Sequence, residues 1–259
     1  MGEALIAAIL RKKLWPPSQI GIADSDPKHL QRLRRKLRIV SFSSNATLTR
    51  NSQVVLLAVK PQQMDEVLTE IRPFIKPTHL VLSIAAGLDT NYFQKRLPKT
   101  TRLIRIMPNM GALIGEGAAA LYAPPRVKGR HRKLALQIFR ASGQAVFVKR
   151  EEWLDAVTAV SGSGPAFVFQ FIDSLMAAGE KQKLPHLLCK TLVLQTLLGA
   201  TKIAQESKEP LQKLIQKVAS KGGTTEAGLR ILESRKFRRL IEETITAATQ
   251  RAKELRCIS

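Results

Sequence analysis

A loop of hydroxyls and glycines, Ser220-Lys221-Gly222-Gly223-Thr224-Thr225-Glu226, stands between two helical patterns. Its unhindered backbone, and the start of the helix that runs on to Ser234, can expose several N–H donors, which makes an anion site. A small substrate carboxylate could rest along Ser220, Gly222, Gly223, Thr224 and Thr225, while the Thr225 hydroxyl donates a hydrogen bond to a reacting atom beside it. Thr225 as a plain helix N-cap fits the same residues, and both roles are compatible. Four further clusters of small residues recur: Val59-Lys60-Pro61-Gln62, Ser83-Ile84-Ala85-Ala86-Gly87, Met107-Pro108-Asn109 and Ser161-Gly162-Ser163-Gly164-Pro165-Ala166. The first three follow runs that read as parallel strands, so they fall on the carboxyl edge where open α/β sheets bind ligands. Small residues there let a flat ring lie against backbone; a tight turn without function is the plainer account of each cluster taken singly.

Groups suited to acid–base or metal chemistry are few. His29, His79, His131 and His186 fall on helix or loop positions without sequence partners and read as surface residues. Cys189 and Cys257 share no close spacing with any histidine, which excludes a disulfide framework and a four-ligand zinc site and fits a reducing compartment. No metal site is expected.

The elements that must position these clusters change character along the chain. A helix over about residues 2–12 comes first, then a strand over 19–23 and a basic helix whose apolar stripe is Leu30, Leu33 and Leu37. Val54 to Val59 is continuously apolar, as expected of a strand buried on both faces of a parallel sheet. A helix over 64–74 and strands over 80–85, 103–107 and 145–148 complete a βαβα order, hence an α/β layer architecture with right-handed crossovers. Beyond Val148 only helical periods remain, over 153–159, 166–178, 185–205, 211–219, 225–234 and 236–255. The expected organisation is a nucleotide-binding α/β domain over 1–148 and a helical domain over 149–259. Phe167, Phe171, Ile172 and Leu175 make the helical faces more apolar than a monomer surface requires, which implies a partner subunit.

With 44% hydrophobic residues the 259-residue chain can build a real core, so disorder is excluded. No run approaches the roughly 20 apolar residues of a bilayer span, and no secretory leader opens the chain; a soluble, cytoplasmic protein is expected. A net charge of +22 suggests anionic partners. The basic stretches 32–38, 126–133 and 235–239 carry no interleaved aromatics and no recognition motif, so solvated faces explain them better than nucleic-acid binding.

An α/β sheet usually begins with a strand that feeds a glycine-rich turn, since the amides at a helix N-terminus hold pyrophosphate. Here Met1-Gly2-Glu3-Ala4 opens on a helix, with Gly2 in the place of the last glycine of such a turn. Asp24, followed by Ser25, stands 22 residues beyond Gly2, where a ribose-contacting acid is expected; Asp24 and Asp26 as caps of the next helix is the competing account.

The order VKPQ, SIAAG, MPN, SGSGPAF and GGTTEAGL resembles the pyrroline-5-carboxylate reductase family over essentially the whole chain. The resemblance implies a Rossmann-like, doubly wound parallel sheet followed by an all-α dimerisation domain, and reduction of 1-pyrroline-5-carboxylate to L-proline by NADPH or NADH. It implies a dinucleotide lying along Val59, Lys60 and Pro61 and near Ala85, Ala86 and Gly87, with Asn45 on the adenosine side and Asn109 flanking the nicotinamide. The 220–225 loop would hold the substrate carboxylate, with the Thr225 hydroxyl facing the imine nitrogen. Lys221 departs from the family's usual proline. The family's first strand and glycine-rich turn have no counterpart here beyond Met1-Gly2. Met1 is accordingly expected to be an internal methionine of a longer product; a shortened, catalytically impaired homologue acting only as a helical dimer is the alternative. The acid at Asp24 disfavours a 2′-phosphate, whereas Ser25 and Lys28 would accommodate one, so the choice of donor stays open.

Overall fold

A computed structural model describes residues 1–257, the side chain of Cys257 excepted. In chain order the elements are α1 (Gly2–Arg11), β1 (Gly21–Ile22), α2 (Pro27–Leu37), β2 (Val40–Ser41), α3 (Asn45–Arg50), β3 (Val54–Leu57), α4 (Met64–Ile71), β4 (Leu80–Ser83), α5 (Thr90–Arg96), β5 (Arg102–Pro108), β6 (Gly117–Tyr122), α6 (Gly129–Arg140) and β7 (Gly143–Phe147). Then come α7 (Trp153–Val157), a π turn (Thr158–Gly162), α8 (Gly164–Lys181), α9 (His186–Glu206), α10 (Leu211–Val218), α11 (Thr224–Ser234) and α12 (Phe237–Cys257).

The strands form two sheets, a parallel β1–β2 pair and a five-stranded sheet in the order β3-β4-β5-β6-β7. β3, β4 and β5 run parallel. β5 and β6 are antiparallel, so the sheet is predominantly rather than wholly parallel. β4 is buried at all four positions, as its unbroken apolar run requires. β3, expected to be covered on both faces, instead alternates, with Val55 and Leu57 buried and Val54 and Leu56 half-buried. It is an edge strand of its sheet and is less fully enclosed. One core packs Leu5, Ala8 and Ile9 of α1 with Leu82, Ile104, Leu121 and Phe139. A second, on the other face, joins Val55, Leu57, Met64, Leu68, Ile71, Val81 and Phe93.

Two compact units result. The first comprises Met1–Pro165 together with the chain from Ala247, because α7 and the π turn pack on β5 and β6 and the Arg256 guanidinium reaches Asp155. The second is Ala166–Thr246, entirely helical. Among its described residues only Cys189 is buried, while Leu187, Leu192, Leu198 and Ile203 of α9 are 76%, 51%, 48% and 59% exposed. α9 is also long and apolar enough to cross a membrane, with a mean hydropathy of 1.3, which corrects the expectation that no such segment exists.

Candidate active site

In the first unit three of the small-residue clusters meet at one edge. Val59-Lys60-Pro61 follows β3, Ala85-Ala86-Gly87 follows β4 and Asn109 follows β5, at the carboxyl ends of three strands that run the same way. Gly87 adopts φ +78°, a left-handed turn that favours glycine. Asn109 is the hinge of the edge. Its Oδ1 accepts from the Gly111 and Ala118 amides at 3.2 and 3.0 Å, and its Nδ2 donates to Ser161 Oγ at 3.4 Å. The fourth cluster is thereby brought to the same place. Met107 packs so tightly on Gly162 that a side chain there would come within 2.6 Å of Met107 Cε. The π turn at Thr158–Gly162, closed by Ser163 N–H donating to Thr158 O at 2.8 Å, sets this approach.

The N-terminus of α1 comes to the end of β3, where a side chain on Gly2 would approach Ala58 Cβ at 3.3 Å. The amides of Gly2, Glu3 and Ala4 have no acceptor among the described residues, so donors for an anionic linkage are present there. Glu3, the acid in that first turn, is neutralised by Arg32 at 2.7 Å and Lys36 at 3.0 Å. Those two hydrogen bonds hold its carboxyl at about 2, far below the usual 4.5. These residues fit a dinucleotide pyrophosphate.

Asp24 stands past the end of β1 with both oxygens engaged. Oδ1 accepts from the Asp26 amide at 2.9 Å and Oδ2 lies 2.8 Å from His29 Nδ1. Asp26 is the N-cap of α2, accepting from the Lys28 amide. Ser25 between them is exposed. Asn45 donates from Nδ2 to Glu70 at 2.7 Å, which leaves its second amide hydrogen and its side-chain oxygen for an adenosine contact.

The second unit holds the hydroxyl and glycine loop. Gly222 lies at φ +72°, and Gly223, not Thr225, is the N-cap of α11. The loop consumes its own glycine donors: the Gly222 amide donates to the Glu226 carboxylate and the Gly223 amide to Ser220 O at 3.0 Å. The amides of Thr224, Thr225 and Glu226 are left without an acceptor among the described residues. The glycines therefore shape the turn, and the residues after them supply the free N–H groups. Thr225 is half-buried at the second helical position.

Of the four histidines, expected from sequence to be unpartnered surface groups, two are buried and the two nearer the surface have carboxylate partners. His79 is buried, accepts from the Lys76 amide, and is pushed down in pKa chiefly by burial. His131 is buried on the inner face of α6 and lowered for the same reason. His29 and His186 face carboxylates, Asp24 and Glu180, at 2.8 and 2.6 Å. None belongs to the edge gathered around Asn109. Sequence reasoning also missed a buried ionic cluster. Arg105, with a side chain only 6% exposed, donates to Glu151 Oε1 at 2.5 Å, and burial raises the pKa of Asp155 against the pull of Arg256 and Arg105. Arg256 Nη2 is 3.2 Å from Asp155 Oδ2 but not aligned to hydrogen-bond it.

The helical segment matches a family model described as pyrroline-5-carboxylate reductase dimerisation, over residues 151–255. Residues 1–87 match one described as NADP oxidoreductase, coenzyme F420-dependent. A pyrroline-5-carboxylate reductase of Pseudomonas aeruginosa is 37% identical over 98% of this chain and 93% of its own length; pyrroline-5-carboxylate reductase 2 of Bacillus subtilis is 33% identical over 99% and 92%. Among solved structures, a pyrroline-5-carboxylate reductase of Coxiella burnetii superposes with a TM-score of 0.93 at 33% identity, covering 98% of this chain and 94% of its own. The Plasmodium falciparum pyrroline carboxylate reductase with NADP bound gives 0.88 at 30%, covering 99% and 94%. Identity at this level across both the sheet and the helices makes the chain a member of the pyrroline-5-carboxylate reductase family.

Proposed function

We propose that this protein reduces 1-pyrroline-5-carboxylate to L-proline, with NADPH or NADH as hydride donor. The observation that carries the reading is the edge built around Asn109, where three parallel strand ends and the Ser161–Gly162 turn converge, in a chain whose relatives of that name align along its whole length. Gly2 and the free amides of α1 would hold the pyrophosphate, with Asp24 and Ser25 near the ribose and Asn45 on the adenosine side. Val59, Lys60, Pro61, Ala85, Ala86, Gly87 and Asn109 would line the rest of the dinucleotide.

A bound dihydronicotinamide supplies hydride to the carbon of the C=N bond. The chain's own work is binding and alignment, because a protonated cyclic imine is already an electrophile. The Ser220–Thr225 loop would bind the substrate carboxylate. Of its groups, the free Thr224 and Thr225 amides are the available donors, and Gly222 and Gly223 act through the shape they give the turn. The Thr225 hydroxyl faces the imine nitrogen, its oxygen accepting from the N–H of the protonated ring, and fixes the ring's orientation.

The exposed faces of α9 and its neighbours support a homodimer, in which a second copy covers what one chain cannot bury. That occupant, rather than lipid, would account for the apolar surface of α9, in keeping with a cytoplasmic location. Of the basic residues of α2, Arg32 and Lys36 are paired with Glu3, which supports a solvated face over a nucleic-acid surface.

The test is imine-dependent oxidation of the dinucleotide by the purified chain, with proline identified as the product. The break between the β1–β2 pair and the main sheet favours one competing reading, a helical dimer without catalysis. It predicts no saturable dinucleotide binding and no turnover.

A further inference from the structure

The buried ionic cluster has no part in the assignment above, yet it ties together the chain segments that form the Asn109 edge. Glu151 Oε1 accepts from the Thr90 amide at 2.7 Å and from Arg105 Nη1 at 2.5 Å, and Oε2 accepts from the Thr90 hydroxyl at 2.5 Å. Thr90 is the first residue of α5 and closes the far end of the loop that carries Ala85, Ala86 and Gly87. Arg105 lies opposite Ser83, the last residue of β4, and stands on β5 four residues before Asn109, which follows that strand. Glu151 itself leads into α7 and the π turn that presents Ser161 and Gly162. One carboxylate thus fastens the loop after β4, the end of β5 and the approach to the π turn. Both charges are largely out of water, with side chains 6% and 17% exposed.

We propose that Glu151, with Arg105 and Thr90, forms a positioning cluster that fixes the relative placement of the Ala85–Gly87 loop and Asn109, and so sets affinity for the dinucleotide. The inference rests on the dinucleotide-binding part of the function assigned above. Buried ion pairs seldom add much net stability over apolar replacements of similar volume, so stability alone is a poor reason for placing this one at the carboxyl edge. What a bidentate carboxylate supplies is direction: it holds the Thr90 amide and hydroxyl and one guanidinium in a fixed mutual geometry.

The test uses the full chain and direct titration with NADPH and NADH, read by nicotinamide fluorescence. Glu151→Gln keeps the shape and loses the charge; it is expected to raise the dinucleotide Kd about tenfold while the KM for the imine stays within about twofold. The double variant Arg105→Met with Glu151→Leu removes the pair and refills its volume. It is expected to fold, with a melting temperature lowered only by the Thr90 amide and hydroxyl that lose their acceptor, yet to keep the weakened Kd, and it carries the test if the single variant does not fold. A double variant that regains the original Kd, or a folded Glu151→Gln with unchanged Kd, overturns the proposal and leaves the cluster a packing feature. An unaltered chain that binds dinucleotide but does not reduce the imine refutes the reaction alone, and the Kd comparison still decides the role of Glu151.

Discussion

Thr225 sits in a turn whose two glycine amides are already spent within the loop, so its hydroxyl and the unpaired amides beside it are what remains to meet a ligand. Thr225→Ala should lower kcat roughly 100-fold while the dinucleotide Kd stays within about twofold, since the lost hydrogen bond acts on the imine and not on the cofactor. Equal losses in both would contradict the role. Glu3 makes a pH prediction. Its carboxyl is held at about 2 in the folded chain, against an ordinary 4.5, by Arg32 and Lys36. A depressed carboxyl adds stability that is fully present above its unfolded value and is lost as pH falls toward the folded one. Between pH 4.5 and 2 the denaturation midpoint of the unaltered chain should therefore fall more steeply than that of Glu3→Gln. Parallel curves would exclude the contribution. At this scale the sequence displayed the chemistry-bearing residue types but not their partners. Arg105 lies within an apolar run and its carboxylate is 46 positions away; His79 and His131 look exposed because nothing local reveals that their neighbours enclose them.

The elements were legible in proportion to how much of their stability is written locally. The long helices are marked by uninterrupted helix-forming, apolar-rich runs bounded by Pro185, Pro210 and the 222–223 glycines, so the expected 185–205 appears as His186–Glu206. β6 escaped because Gly-Ala-Ala-Ala-Leu-Tyr lacks the β-branched residues that mark a strand. It is a strand because β5 and β7 pair with it on both sides. α6 was hidden in a basic stretch, although Ala135, Ile138 and Phe139 give it a buried face. The β6–β7 pairing makes a prediction of its own. A side chain on Gly143, at φ +144°, would lie 2.0 Å from Gly117 O, so Gly143→Ala should cost about 3 kcal/mol or more. Gly129 opens α6 with nothing within 4 Å of the same position, and Gly129→Ala should instead add about 0.5 kcal/mol. Denaturant titration of both variants checks the contrast; similar effects would show that the close approach of the two strands does not govern the difference.

For the whole molecule, composition and periodicity foretold two unlike halves and a shared helical surface, but not where compactness divides them. That division depends on α7 and the end of α12 joining the first unit through Asp155 and Arg256, a contact about a hundred residues long in sequence. The second unit buries a single described residue, so its apolar helices need a cover. Leu192→Asp on α9, at a position 51% exposed in one chain, should convert the assembly to monomer or aggregate in sedimentation, whereas an unchanged dimer would place the interface elsewhere. The proposed reaction passes hydride from a dinucleotide at the Asn109 edge to a cyclic imine. The most direct measurement uses a dinucleotide bearing deuterium at both C4 positions of the dihydronicotinamide, with 1-pyrroline-5-carboxylate and the purified chain. The expected product is L-proline carrying a single deuterium on C5, the former imine carbon. Proline formed without the label, or no proline at all from a chain that binds both ligands, would contradict that reaction.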